Sequence, residues 1–274
     1  MLREVTLGQF FPGKSVLHKM DPRMKIILLT AYIVFIFLTN NYISLTIMAL
    51  SVFGVICLSQ VSPKLYFKSI KAIVAIVLFT SVLNLFYGTG DPLWQWKFLK
   101  ITSAGINTAV FVAVRILCLV LVSSVLTYTT SPTDLTDGIE RLLKPLSVFH
   151  IKVHEIAMMM TIALRFIPTL LEETDKIMSA QKARGADFES GNLINRIKAL
   201  VPILVPLFVS AFRRAYELAM AMESRCYHGG DGRSRMKVLK YSKYDYIALS
   251  AVCVLFIGVI TCNIFLPATI RSGM

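Results

Sequence analysis

Apolar residues in this chain gather into long runs, not into the short alternating segments of a soluble sheet protein. Five runs stand out, at 26–39, 42–58, 70–87, 104–128 and 246–266. A helix that crosses a bilayer needs about 20 predominantly apolar residues. The last two runs meet that length, and the first three reach it only with flanking residues or adjustment to the local bilayer thickness. Five spanning helices are expected. Residues 1–25 are polar and basic, with turn signals at Pro12-Gly13 and Asp21-Pro22. They carry neither the apolar core nor the small-residue cleavage site of a signal peptide, so no removal is expected.

Between the fourth and fifth runs the pattern changes from apolar to amphipathic, and three further helices are predicted. Ser131-Pro132 pairs a capping residue with proline at the first helical position, and Leu135, Ile139, Leu142 and Leu143 mark one face as far as Pro145. A second helix runs over 152–184, roughly 50 Å at the α-helical rise, with a kink expected at Pro168. A third starts near 192–196, contains Pro202 and Pro206, and ends at Tyr227. In both long helices the early part is apolar and the late part charged. One end suits a membrane face and the other a partner.

Composition agrees. The chain has 274 residues, 55% hydrophobic, with a formal net charge of +13 and a mean hydropathy of +0.66. A soluble domain of this size is rarely so apolar. With the N-terminus inside, cytoplasmic segments hold 25 of the 29 basic residues, the outer side keeps Lys97, Lys100 and Arg271, and Arg115 lies within a span. That asymmetry predicts an N-terminus and a 132–245 segment in the cytoplasm, with the C-terminus outside. Trp94 and Trp96 in the outer loop suit an interfacial aromatic belt. Thirteen of the 16 acidic residues share the 132–245 segment with the positive charge, which argues for a solvated helical domain there. No aromatic-basic motif accompanies the charge, so nucleic-acid binding is not expected. The cysteines Cys57, Cys118, Cys226, Cys253 and Cys262 form no C-x-x-C pair, which suggests neither a disulfide framework nor a zinc site.

Candidate chemistry concentrates at the ends of the two long helices. Ala183-Arg184-Gly185 closes one, and Ser224-Arg225-Cys226-Tyr227 closes the other ahead of Gly229-Gly230. A cation is favourable at a helix C-terminus, and the five-donor guanidinium stays available to clamp a carboxylate on another protein. Either end alone reads as ordinary capping. The pair suggests two plugs for two sockets. His150, His154 and Glu155 form an H-x-x-x-H-E pattern, in which two histidines at i and i+4 share a helix face. It lacks the H-E-x-x-H order of a zinc protease, so boundary surface residues are the expected reading and no metal is expected. Arg115 is expected to make an interhelical hydrogen bond. Met158, Met159, Met160, Met220 and Met222 give the long helices a flexible apolar face. No phosphate-binding glycine loop, nucleophile elbow or catalytic carboxylate pair is present.

These residues together resemble a known family, the transmembrane T component of energy-coupling-factor transporters, the cobalt, nickel and vitamin transporter permeases. The segment 15–25 (Ser-Val-Leu-His-Lys-Met-Asp-Pro-Arg-Met-Lys) is similar to that family's N-terminal sequence, and Ser131-Pro132-Thr133-Asp134-Leu135 to its first coupling helix. Ala183-Arg184-Gly185 matches the first signature, and Met222-Glu223-Ser224-Arg225-Cys226-Tyr227 resembles the second. The resemblance implies an all-α integral membrane protein of about five transmembrane helices with a cytoplasmic domain of three coupling helices, two of them long and crossing. It places a membrane region of four spans at 1–131, the coupling domain at 132–241 and the last span at 242–274.

The resemblance further implies a non-catalytic subunit that binds no cofactor itself. Two ABC-type ATPase subunits, which carry the ATP, would dock on Ala183, Arg184, Gly185, Ser224, Arg225 and Cys226. A substrate-binding membrane subunit for a vitamin or metal ion would meet Met158, Met159, Met160, Leu164 and Met220. The second signature departs from the family's Ala-Arg-Gly, and cysteine in place of glycine is expected to delay the left-handed turn to Gly229-Gly230. Two other classes stay open from the residues alone. One is a membrane-embedded metal-dependent hydrolase using His150, His154 and Glu155. The other is a self-contained carrier, which calls for pseudo-symmetric halves that the pattern lacks.

Overall fold

The computed structural model describes residues 10–86, 92–96, 99–186, 188, 193–230 and 238–265. After a single turn, α1 (Val16–Lys19), come α2 (Pro22–Leu38), α3 (Tyr42–Ser59) and α4 (Pro63–Phe86). An antiparallel hairpin, β1 (Pro92–Trp96) with β2 (Leu99–Thr102), interrupts the helical order before α5 (Ser103–Thr129). Then follow α6 (Pro132–Leu143), a 3-10 segment (Lys144–Phe149), α7 (Val153–Ala183), α8 (Leu193–Glu223) and α9 (Lys243–Phe265). The protein is an all-α membrane protein, with the hairpin as its one departure among the described residues. Tyr87, Leu266 and the side chains of Trp94 and Trp96 lie outside the described set, and the aromatic-belt expectation with them.

Among the described residues, five helices are long and apolar enough to cross a membrane: α3, α4, α5, α7 and α9. This set differs from the five apolar runs at two places. The 17-residue α2 starts at the Asp21-Pro22 cap and stops at Thr39, whose hydroxyl bonds Ile36 O at 2.7 Å. Its length of about 26 Å falls just short of a full hydrocarbon span. The 31-residue α7 qualifies because its first half is apolar, and it continues unbroken through Pro168. The short run that begins at residue 70 extends back to Pro63, so α4 reaches 24 residues by taking in Lys64 and Lys68.

The described residues form two compact units, one of 10–138 with 239–265 and the other from 139 to 238. In the first, α5 packs against α2, α3 and α4. Tyr32 and Ile36 of α2, Met48 and Val52 of α3, Cys118 and Val122 of α5, and Phe256 and Val259 of α9 share one buried cluster. Phe35 stacks on Phe256 with ring centroids 3.6 Å apart. A second cluster joins Val61, Tyr66, Val125 and Tyr128. Its phenols cross edge to face at 5.4 Å, and their hydroxyls bond Ser59 at 2.9 Å and Ser69 at 2.6 Å, so neither is buried unpaired. Arg115 donates from Nη2 to Thr39 O and covers the Phe111 ring at 4.8 Å, the interhelical bond expected of it.

The Asp21-Pro22-Arg23 segment ties the start of α2 to the start of α9. The Asp21 carboxylate accepts from the Arg23 backbone at 2.9 Å and from its guanidinium at 3.0 and 2.7 Å. Arg23 lies over the Tyr241 ring at 4.2 Å. Asp245, 1% exposed, accepts from Asp21 N at 3.0 Å and from Ser242 N at 2.6 Å. Lys25 donates from Nζ to Thr129 O at 2.9 Å, which satisfies a carbonyl at the C-terminus of α5. Ser131 Oγ accepts from Asp134 N at 3.1 Å, the N-cap expected for α6.

Candidate partner-docking site

Within the second unit α7 packs against α8. Ser210 Oγ and Arg214 Nη2, both on α8, donate to the Glu173 carboxylate of α7, the latter at 2.9 Å. Those hydrogen bonds, from Ser210 first and then Arg214, hold the Glu173 carboxyl below the usual carboxylate range. The clamp sits in the charged later half of each helix and fixes the two against each other ahead of their C-terminal ends.

Those ends are built alike. At the end of α7, Gly185 N donates to Lys182 O at 3.0 Å and Ala186 N to Gln181 O at 3.0 Å. At the end of α8, Cys226 N donates to Glu223 O at 2.8 Å and Tyr227 N to Met222 O at 3.0 Å. Both are Schellman closures, with the arginine as the last residue before a left-handed position. That position is Gly185 at φ +87° in one and Cys226 at φ +55° in the other. The expectation that cysteine delays the turn to Gly229-Gly230 is therefore corrected. Two backbone hydrogen bonds outweigh the steric cost of a β-carbon in the left-handed region, about 1–2 kcal/mol. Gly229 also has a positive φ, at +105°, but it follows a turn already made.

Arg184 and Arg225 are both exposed, and among the described residues neither guanidinium has a hydrogen-bond or ion-pair partner. Ala183, Gly185, Ser224 and Cys226 are exposed beside them. Each end thus offers five N–H donors that no described residue binds.

The methionines divide. Met159, Met160 and Met220 are 59%, 41% and 49% exposed, whereas Met158 and Leu164 are half-buried. A larger apolar surface surrounds Met220. Leu204, Phe208, Phe212 and Tyr216 are exposed at four-residue intervals along α8, leading to Met220. The four-residue spacing is visible in the sequence and continues the apolar face into the later, charged part of the helix. A contiguous exposed face of this kind marks contact with another apolar surface.

The histidine constellation does not assemble. The 3-10 segment that includes Pro145 ends at His150, which stands at φ +61°, and α7 starts only at Val153. His150 and His154 therefore share no helix face. His154 Nδ1 pairs with Glu140 Oε1 at 2.9 Å, and Glu155 pairs with Lys152 at 3.0 Å. Among the described residues no group of three His, Cys, Asp or Glu side chains is placed to hold a metal ion.

Fold and site together define a multi-pass helical membrane protein with two matched arginine-tipped helices in one of its two units. Comparison with known proteins makes this particular. Residues 13–238 match the family CbiQ, described as cobalt transport protein. Over 256 residues the chain is 52% identical to the energy-coupling factor transporter transmembrane protein EcfT of Ruminiclostridium cellulolyticum, covering 93% of this chain and 96% of that protein. It is 54% identical over 257 residues to the EcfT of Clostridium kluyveri, covering 93% and 95%. It is 44% identical over 256 residues to that of Bacillus subtilis, covering 93% and 97%. The chain belongs to this family of energy-coupling factor transporter transmembrane proteins.

Proposed function

We propose that the chain is the coupling subunit of an importer, transmitting ATP-driven motion of two ABC-type ATPase subunits to a substrate-binding membrane subunit. The observation that carries this reading is the pair of exposed arginines on two helix ends closed by the same hydrogen-bond pattern. Each arginine seats in a groove of one ATPase and pairs there with a carboxylate, a charge-assisted contact that strengthens once desolvated. Ala183, Gly185, Ser224 and Cys226 complete the two docking ends. Residues 132–241 act as the cytoplasmic coupling domain between membrane regions 1–131 and 242–274, with the N-terminus inside and the C-terminus outside.

ATP binds and is hydrolysed on the partner subunits, and this chain supplies no catalytic group and no cofactor. Closure of the ATPase pair draws the two arginine ends together and rotates α7 against α8 about the Glu173 clamp. The exposed face with Met159, Met160 and Met220, with Met158 and Leu164 behind it, passes the motion to the substrate-binding subunit. That subunit selects the cargo, a vitamin or a metal ion. Affinity purification of the tagged chain from gently solubilised native membranes tests this. Two ATP-binding subunits and a small membrane protein are expected to accompany it; a chain recovered alone contradicts the reading.

A further inference from the structure

The first unit contains a cavity of about 390 Å³ that the coupling role does not use. Its wall draws on the first turns of α2, the last turns of α3 and α5, and the first half of α9, with α1 beneath. Leu28, Val55, Val125 and Ala251 are representative of a lining that is almost wholly apolar. Lys25 is its one charged wall residue, and it is 8% exposed. The rim is open, with Leu58 58% and Ile247 64% exposed. A wall of this chemistry does not hold water, so in a bilayer the space is filled by something apolar.

We propose that this cavity is a lipid site, taking one acyl chain of an anionic phospholipid from the surrounding bilayer. Three observations favour that occupant over a protein segment. The exposed rim residues are aliphatic, as on a surface facing lipid. The helix directions place every wall segment at the same end of the bundle, which on the N-terminus-inside reading is the cytoplasmic leaflet, where anionic lipids concentrate. Charge is complementary as well. The Lys25 ammonium has three donors, and its hydrogen bonds go to Thr129 O at 2.9 Å and Thr130 Oγ1 at 3.2 Å; the carboxylates of Asp134, Asp245 and Asp21 act on it through space without a direct hydrogen bond. Exposed Lys19, Lys240 and Lys243 flank the wall segments in sequence and add basic side chains beside them. The proposal rests on the membrane reading of the bundle and is independent of ATPase docking.

Gly54 offers a clean test. It lines the cavity, and a β-carbon there meets nothing within 4 Å, so a side chain enters the space without displacing the fold. A leucine in mid-helix is also a better helix former than glycine. The full chain with its co-purifying subunits is reconstituted in nanodiscs containing photoactivatable-acyl phosphatidylglycerol or its phosphatidylcholine counterpart, and cross-linked peptides are mapped. Cross-links on 51–58 and 244–255 are expected with wild type, and their loss with Gly54→Leu. Lys25→Gln is expected to keep the cross-links but to lower the preference for phosphatidylglycerol roughly fivefold. Ala251→Leu fills the same space from α9 and serves if Gly54→Leu is not recovered. Cross-links elsewhere only, cross-links unchanged by the filling variant, or a protein segment captured at 51–58 each overturns the lipid site. ATPase recovery measured in the same samples reports separately on the coupling role.

Discussion

At the residue scale, Cys226 is the informative position. A β-branched or bulky side chain is rarely placed in the left-handed region, and cysteine has no local hydrogen bond to favour it there. Its φ of +55° is imposed by the Schellman closure of α8. Cys226→Gly is therefore expected to stabilise the end of α8 by about 1 kcal/mol, read as a higher thermal midpoint, with ATPase recovery retained. A lower midpoint contradicts the strain. Gly105 makes the opposite case. A β-carbon there lies 2.7 Å from Leu85 O of α4, and backbone cannot swing aside as a side chain can. Gly105→Ala is expected to destabilise by about 1–3 kcal/mol, measured by thermal or denaturant unfolding in detergent.

At the element scale, what the sequence makes legible follows from which force sets each element. The helices α3, α5 and α9 were readable because apolar runs of that length have almost no alternative in a bilayer. The end of α2 was readable to within one residue, while its start lies four residues ahead of the apolar run, at the Asp21-Pro22 cap. The hairpin of β1 and β2 was missed because a two-stranded ribbon depends on pairing that periodicity does not announce. The start of α7 was readable to within one residue, whereas His150 does not share a helix face with His154 because a 3-10 segment ending at Phe149 and a break at 150–152 precede α7.

The α7 and α8 clamp was not foreseen, since Glu173 lies 37 residues from Ser210 and 41 from Arg214. Because its donors lower the Glu173 carboxyl, their contribution is fully present above the unfolded carboxylate value of about 4.3. It is lost as pH falls through the lower folded value. A double-mutant cycle on Glu173→Gln and Arg214→Gln is expected to give coupling of about 0.2–1 kcal/mol at pH 7, since both side chains are partly exposed. No coupling at pH 7 contradicts a clamp.

At the scale of the whole molecule, the two units differ in how much of their apolar surface they bury. The unit of 10–138 and 239–265 is held by apolar clusters and by the Asp21, Arg23 and Asp245 network, which gathers the starts of α2 and α9. Replacing Asp245 by alanine leaves two backbone donors without their acceptor and is expected to cost about 1–3 kcal/mol, seen as a lower midpoint with ATPase docking intact in the folded fraction. The described residues of the unit from 139 to 238 bury little and expose much, the kind of surface that marks contact with another apolar surface. The two arginine ends were legible as motifs, while their shared backbone closure was visible only in three dimensions.

The most direct test of the account is quantitative recovery of ATPase subunits with Arg184→Glu, Arg225→Glu and the double variant. Both side chains are exposed, so melting temperatures are expected to match wild type. Breaking one buried charge-assisted pair typically costs at least 2 kcal/mol, so each single variant is expected to weaken docking by roughly 30-fold or more and the double variant to lose the ATPases entirely. A double variant that folds and retains them at the wild-type ratio contradicts the assignment of these two helix ends as the docking site.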